Sequence, residues 1–238
     1  MKIAMFGGSF NPPHLGHVEA ARSVVSLLQP DRLLIMPTCI SPHKVMADDT
    51  PAPDVRKHLC ELAFAEIEQA EVSDLEMRRE GRSYTADTLI QLKELYPEDT
   101  LVLIMGTDMI LSLESWSRPE IIMKLAEIAV LLRGVDEDDR VRSHIAYLCE
   151  TYGARITLLE AGVYPAASTD VRNTLKQGGG SELLAESVYE YIIRNRLYGA
   201  KADLDWLREK AHAMLKPKRV PHVLGCEQEA VRLAERWG

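Results

Sequence analysis

Lys2-Ile3-Ala4-Met5-Phe6-Gly7-Gly8-Ser9-Phe10-Asn11-Pro12-Pro13-His14-Leu15-Gly16-His17 is the stretch whose reading decides the fold. Lys2–Phe6 is of strand length and apolar on consecutive positions. That pattern means burial on both faces, as in a parallel sheet covered by helices. Glycines after such a strand let the chain turn sharply and bring backbone N–H groups close to a ligand. A helix is expected to begin near Leu15, and its N-terminus favours anions. His14 and His17 then lie on one side of its first turn, where both can donate to phosphate oxygens. Pro12-Pro13 stiffens the approach. The spacing is neither GxGxxG nor GxxxxGK[ST], which argues against a dinucleotide redox cofactor and against a P-loop.

Outward from this stretch the alternation continues. Arg32–Met36, Leu101–Met105, Ile128–Leu132 and Arg155–Leu158 are further short apolar runs. Gly16–Leu28, Ala52–Ile67, Thr85–Tyr96 and Asp136–Tyr152 are helix-compatible, with Asp136–Asp139 read as a solvated helix start. Strand and helix in turn predict an α/β fold, a doubly wound parallel sheet with right-handed crossovers and its site at the strand ends. Ser168–Gln177, a Gly178-Gly179-Gly180 break and a helix near Glu182–Asn195 follow. Tyr198–Ala202 reads as a linker, which divides the chain into a main domain, 1–198, and a helical extension, 199–238. The extension carries two amphipathic segments split by Pro217 and Pro221.

Composition narrows the function classes. The formal charge of −8 disfavours broad electrostatic binding to nucleic acid or an anionic membrane, so an anionic ligand needs a local positive cluster. The charge is uneven: residues 1–196 hold 20 basic and 30 acidic side chains, 197–238 hold 8 and 6. No apolar run approaches the roughly 20 residues of a membrane span, and the N-terminus does not read as a signal peptide. Cys39, Cys60, Cys149 and Cys226 form no CxxC pair, which disfavours a zinc site or a disulfide framework and fits a reducing, cytoplasmic compartment. No metal site built by the protein itself is expected.

The first turn resembles the HxGH signature of the adenylyltransferase superfamily, shared with class I aminoacyl-tRNA synthetases. Its Gly-Gly-Ser-Phe-Asn-Pro-Pro-His lead-in resembles one branch, the bacterial nicotinate mononucleotide adenylyltransferases. Pro42-His43-Lys44 resembles that family's basic loop, Ser83-Tyr84-Thr85 its pyridine-side turn, and Gly106-Thr107-Asp108 followed by Trp116 its central segment. Ser168-Thr169-Asp170-Val171-Arg172 resembles the second half of the ISSTxxR motif. The likeness covers about residues 1–198. Ser117, where a second aromatic is usual, and Ala166-Ala167, in place of Ile-Ser, depart from it.

The resemblance implies transfer of the adenylyl group of ATP to nicotinate mononucleotide, giving deamido-NAD and pyrophosphate. His14, His17, Lys44 and Arg172 would be the catalytic donors, in a reaction that mainly needs positioning and charge neutralisation. Gly7, Gly8, Ser9, Phe10, Gly16, Gly106, Asp108, Arg133, Ser168 and Thr169 would line the ATP side, Asp108 facing a ribose hydroxyl. Thr85, Trp116 and His43 would line the mononucleotide side, the indole stacking on the pyridinium ring. Mg2+ is expected to arrive on the ATP phosphates. Neither nucleic acid nor membrane is an expected partner, and assembly into a homo-oligomer is left open.

Two rival readings remain at this point. Phosphopantetheine adenylyltransferases have shorter chains and a Thr where His14 stands. A metal phosphohydrolase of the HD type needs a His-Asp pair, and none of the seven histidines precedes an Asp. Lys216–Gly225 with Ala230–Arg236 nonetheless resembles the opening of such a domain, His222 standing where its first metal ligand would be. The expectation is that the chain is a truncated piece, or a relic, of a longer two-domain protein, with His222 vestigial.

Overall fold

The computed structural model describes residues 1–40, 47–79, 81–132, 138–160 and 167–237. Six strands form one sheet: β1 (Lys2–Gly8), β2 (Arg32–Pro37), β3 (Ala70–Val72), β4 (Thr100–Gly106), β5 (Ala126–Leu132) and β6 (Ile156–Glu160). They are all parallel, in the order β3-β2-β1-β4-β5-β6. The order reverses between β1 and β4, and a crevice at the carboxyl ends of such a pair is where open α/β sheets hold ligands.

Consecutive apolar residues do bury both faces. Ala4, Leu33, Ile35, Val102 and Ile104 belong to one core. Ile3, Met5, Leu34, Met36, Leu101, Leu103 and Met105 belong to the other. Helices α1 (Leu15–Leu28), α2 (Pro53–Phe64), α7 (Ser168–Gln177) and α8 (Glu186–Arg194) cover the first face. On the second lie α3 (Thr85–Leu95), α4 (Thr107–Ser112), α5 (Pro119–Leu125) and α6 (Asp138–Tyr152). Residues 136 and 137, expected to open α6, lie outside the described residues.

Three expectations change. The edge strand β3 and the short helices α4 and α5 carry too few residues to show a period, and the sequence reading passed over them. Gly7 and Gly8 do not make the sharp turn: both continue β1, and the left-handed residue is Phe10, at φ 42°. Gly8 matters because a Cβ there would stand 3.1 Å from the Phe10 ring. Nor is Tyr198–Ala202 a free linker. Tyr198 is 2% exposed within the first core, and the Lys201 N–H donates to the Leu175 carbonyl at 2.9 Å.

The extension forms α9 (Leu204–Ala213) and α10 (Val220–Trp237). Asp203 caps α9, accepting from the N–H groups of Asp205 and Trp206 at 2.9 and 3.1 Å. Trp206 packs edge-on against Tyr189 with ring centroids 4.9 Å apart, so α9 is docked on α8. Pro221 stands in the first turn of α10 and does not split it, because a missing N–H costs nothing there. No described helix is long and apolar enough to cross a membrane.

Candidate active site

The turn from β1 into α1 is held from three directions. Behind it, the Phe10 ring is buried against Phe6 and Phe64, at 5.7 and 5.8 Å between centroids. Phe10 thus serves as an anchor, and only its backbone is left to face a nucleotide. At its start, the Thr38 N–H donates to the Gly8 carbonyl at 2.9 Å. From across the crevice, α7 reaches over. The Arg172 guanidinium donates to the Asn11 carbonyl at 2.7 Å, and the Ser168 hydroxyl to the Pro12 carbonyl at 3.1 Å. Arg172 also donates to the Thr169 hydroxyl at 3.3 Å.

His14 is the N-cap residue of α1 and Gly16 lies in its first turn. The His14 N–H donates to His17 Nδ1 at 3.2 Å, and the two imidazoles stack with centroids 3.7 Å apart. A ring nitrogen that accepts carries no proton, so in the neutral ring the His17 proton sits on Nε2. The His17 ring also meets the edge of Phe10 at 5.0 Å, which restricts its tilt. His14, His17, Ser168, Thr169 and Arg172 are therefore brought together across more than 150 residues of sequence. The N-termini of α1 and α7 bring their positive dipole ends to the same locus.

Gly106 caps α4 at the end of β4, and Asp108 is exposed in the first turn of that helix. Thr85 opens α3, after a Ser83-Tyr84 turn secured to the chain leaving β2. The Ser83 N–H donates to the Ile40 carbonyl at 3.0 Å, and the Cys39 N–H to the Ser83 hydroxyl at 3.2 Å. An Asp87–Arg118 ion pair joins α3 to the segment carrying Trp116. Trp116 is only partly exposed and packs on the second core, so one part of the indole is structural. His43, Lys44 and Arg133 lie outside the described residues.

Several polar residues under these turns escaped the sequence reading. Arg56 of α2 is 1% exposed, donating to the Ser9 carbonyl at 2.9 Å and the Cys39 carbonyl at 3.1 Å. Burial pulls its guanidinium below the ordinary arginine value. Its signal was present: position 56 extends the core-facing series Leu59, Cys60, Ala63 and Phe64 by one turn, so a charge was due to point inward. Asn11 donates to the Thr50 hydroxyl at 2.8 Å. Glu76, 2% exposed, accepts from the Thr88 hydroxyl at 2.7 Å beneath α3. It stands in irregular chain, where no periodicity could mark it.

The chain is similar to known proteins in sequence and in fold. A cytidylyltransferase-like family model matches residues 5–174. A protein described as a probable nicotinate-nucleotide adenylyltransferase from Lachnoclostridium phytofermentans is 34% identical over 198 residues, 83% of this chain and 98% of that one. A protein of the same description from Carboxydothermus hydrogenoformans is 35% identical over 199 residues, again 83% and 98%. Among solved structures, the nicotinic acid mononucleotide adenylyltransferase of Plasmodium falciparum complexed with NaAD is similar with a TM-score of 0.68. It is 18% identical, over 84% of this chain and 98% of that one, a likeness of fold.

Proposed function

This chain belongs to the cytidylyltransferase-like family and, within it, to the nicotinate-nucleotide adenylyltransferases, and we propose that the β1–β4 crevice is where it joins ATP to nicotinate mononucleotide. The enzyme transfers the adenylyl group of ATP to the mononucleotide and releases pyrophosphate. The mononucleotide's 5′-phosphate oxygen attacks the α-phosphorus in line, and the bond from that phosphorus to the β-phosphate bridging oxygen breaks. The attacking phosphate is anionic near pH 7, so the residues have charge to place and no proton to remove.

One observation carries the site assignment: the Arg172–Asn11 and Ser168–Pro12 hydrogen bonds, which seat the N-terminus of α7 on the His14–His17 turn. In this reading His17 Nε2 and His14 donate to the phosphate oxygens as charge moves onto the leaving pyrophosphate. Ser168, Thr169 and the α7 amides hold the triphosphate from the other side, Arg172 fixing the turn they face. Gly7, Gly8, Ser9, Gly16, Gly106 and Asp108 line the nucleotide side, and Lys44 and Arg133 add positive charge to it. Thr85, Trp116 and His43 receive the pyridine ring, with Thr85 and neighbouring N–H groups as donors to its carboxylate.

Mg2+ enters as part of the substrate, MgATP. The ion would bring its phosphate and water ligands with it. Its free cysteines suit a reducing compartment that also supplies ATP, such as the cytoplasm.

A pyrophosphate-release assay with ATP and a panel of acceptors tests the reading. Nicotinate mononucleotide should be used with a higher kcat/KM than nicotinamide mononucleotide, because the amide NH2 would face donors and leave them unpaired. Equal values for the two would remove the assigned acceptor pocket, and release with phosphopantetheine alone would move the enzyme to another branch.

A further inference from the structure

Among the described residues Arg56 is the one guanidinium that is fully buried, and its bonding is unusual for a buried charge. Among the described residues no carboxylate pairs with it. Two backbone carbonyls accept its hydrogen bonds, and its Nε has no partner. A buried cation without a counter-charge is costly, and an apolar side chain would fill the space at lower cost. What an apolar side chain could not do is hold two separate pieces of chain at once. Ser9 belongs to the turn that leads to His14 and His17. Cys39 belongs to the segment leaving β2, and its own N–H donates to the Ser83 hydroxyl, next to Tyr84 and Thr85. The connection therefore runs from the Ser9 turn through Arg56 and Cys39 to the Ser83–Thr85 turn.

Those are the two sides of the crevice that the proposed reaction must bring together. We propose that Arg56 is a positioning residue: its planar fork, one nitrogen to each carbonyl, sets the spacing between the ATP-side turn and the mononucleotide-side turn. The inference rests on the adenylyl-transfer reading given above. Arginine suits the task because its donors diverge at fixed angles from a rigid plane, whereas a lysine ammonium is a single point. Tyr198 is buried as well and interacts electrostatically with the guanidinium.

The consequence is a split between binding and chemistry. Each turn can still take its own substrate without the strut, but in-line attack depends on their separation, and a misplacement of about 1 Å costs roughly 100-fold in rate. In full-length Arg56→Met, kcat should fall about 10- to 100-fold while KM for ATP and for nicotinate mononucleotide each stay within about threefold. Arg56→Lys, which can hold one carbonyl at a time, should recover part of that kcat. A residue that only stabilises the fold would lower the melting temperature of both variants and leave kcat of the folded enzyme unchanged.

Steady-state kinetics of both variants on protein shown to be folded by circular dichroism decides it, and Arg56→Lys carries the test alone if Arg56→Met does not fold. A kcat within about twofold of wild type in the folded variants overturns the proposal, as does a loss confined to the KM of one substrate. Wild-type enzyme in the same assay separates the two readings. If it releases no pyrophosphate from ATP and nicotinate mononucleotide, the functional reading fails. If it does and the variants match it, only the role of Arg56 fails.

Discussion

Helices α8 and α10 are both amphipathic by sequence, yet they end in opposite environments. In α8, nine residues long, Val188, Tyr189 and Ile192 are buried against the first core. In α10, twice that length, no residue is buried, and Val231, Leu233 and Trp237 are 53%, 42% and 75% exposed. The pattern of apolar residues is similar; what differs is the presence of a second apolar face. Periodicity specifies a helix and the direction of its greasy side, but nothing in it names what lies opposite. The same contrast separates polar groups. The body buries Arg56 and Glu76 among specific partners, while the extension carries exposed ion pairs such as Arg208–Glu227 and Arg232–Glu229.

If chemistry is confined to the body, one side chain in the crevice must outweigh the whole extension. His17→Ala should lower kcat by roughly 10²–10³-fold, the loss typical of one transition-state donor. Its fold should survive with a stability cost of about 1 kcal/mol, for the acceptor removed from the His14 N–H. Stopped-time pyrophosphate release together with thermal melting reads both quantities. Turnover close to wild type would break the comparison at its strongest point.

A smaller loss is expected at the pyridine side. Trp116→Ala should raise the KM for nicotinate mononucleotide roughly 2- to 10-fold, the value of an aromatic stack worth about 0.5–1.5 kcal/mol. The KM for ATP should hold. Because part of the indole packs on the second core, Trp116→Phe is the gentler partner variant, keeping the packing and a weaker stack. A rise in the KM for ATP instead would place the indole on the wrong side of the crevice.

The extension itself can be divided at its own internal contrast. Ending the chain after Leu215 removes only α10 and should change neither the melting temperature nor turnover measurably. Ending it after Tyr198 also strips Trp206 from Tyr189 and Lys210 from Glu186. That should cost about 1–2 kcal/mol of stability, with adenylyl transfer staying within about twofold. Denaturant melts of the two truncations sharpen the boundary: if they coincide, α9 is no more part of the body than α10 is.

Much of this was legible in the chain, and the reasons are specific. Ile3–Phe6 and Leu101–Met105 announce a sheet covered on both faces because strands with no polar side leave no other solution. The His14–His17 turn reads as an anion site, and we propose it as one, because its donors are local in sequence. The resemblance put Arg172 with His14 and His17, but its seating on Asn11 was not legible, since no local pattern links residues so far apart. Arg56 and Glu76 were missed for a different reason: their role is to hold backbone and hydroxyl groups of other segments, and such partners leave no trace in the residue's own neighbourhood. Tyr198 was misread because a residue followed by a glycine looks like loop in the sequence, although its ring plugs the core.

The finest test sets a buried carboxyl of the body against an exposed one of the extension. Burial holds the Glu76 carboxyl above the ordinary glutamate value, with the Thr88 hydroxyl, Arg79 and Ser83 pulling the other way. A carboxyl raised in the folded protein binds its proton more tightly there than in the unfolded chain. The stability it confers is therefore complete below the unfolded glutamate pKa and is lost as pH rises through the folded one. Glu76→Gln keeps an acceptor for Thr88 and stays neutral throughout, so its melting temperature should gain on wild type as pH climbs out of that acidic window. For Glu229 the shift runs the other way, downward through its hydrogen bond to Arg232, but both side chains are exposed and such pairs contribute little. Glu229→Gln should give a melting-temperature curve parallel to wild type across the same range. Parallel curves for both variants would mean that Glu76 meets water in solution, and the distinction between buried and surface charge in this molecule would lose its acidic half.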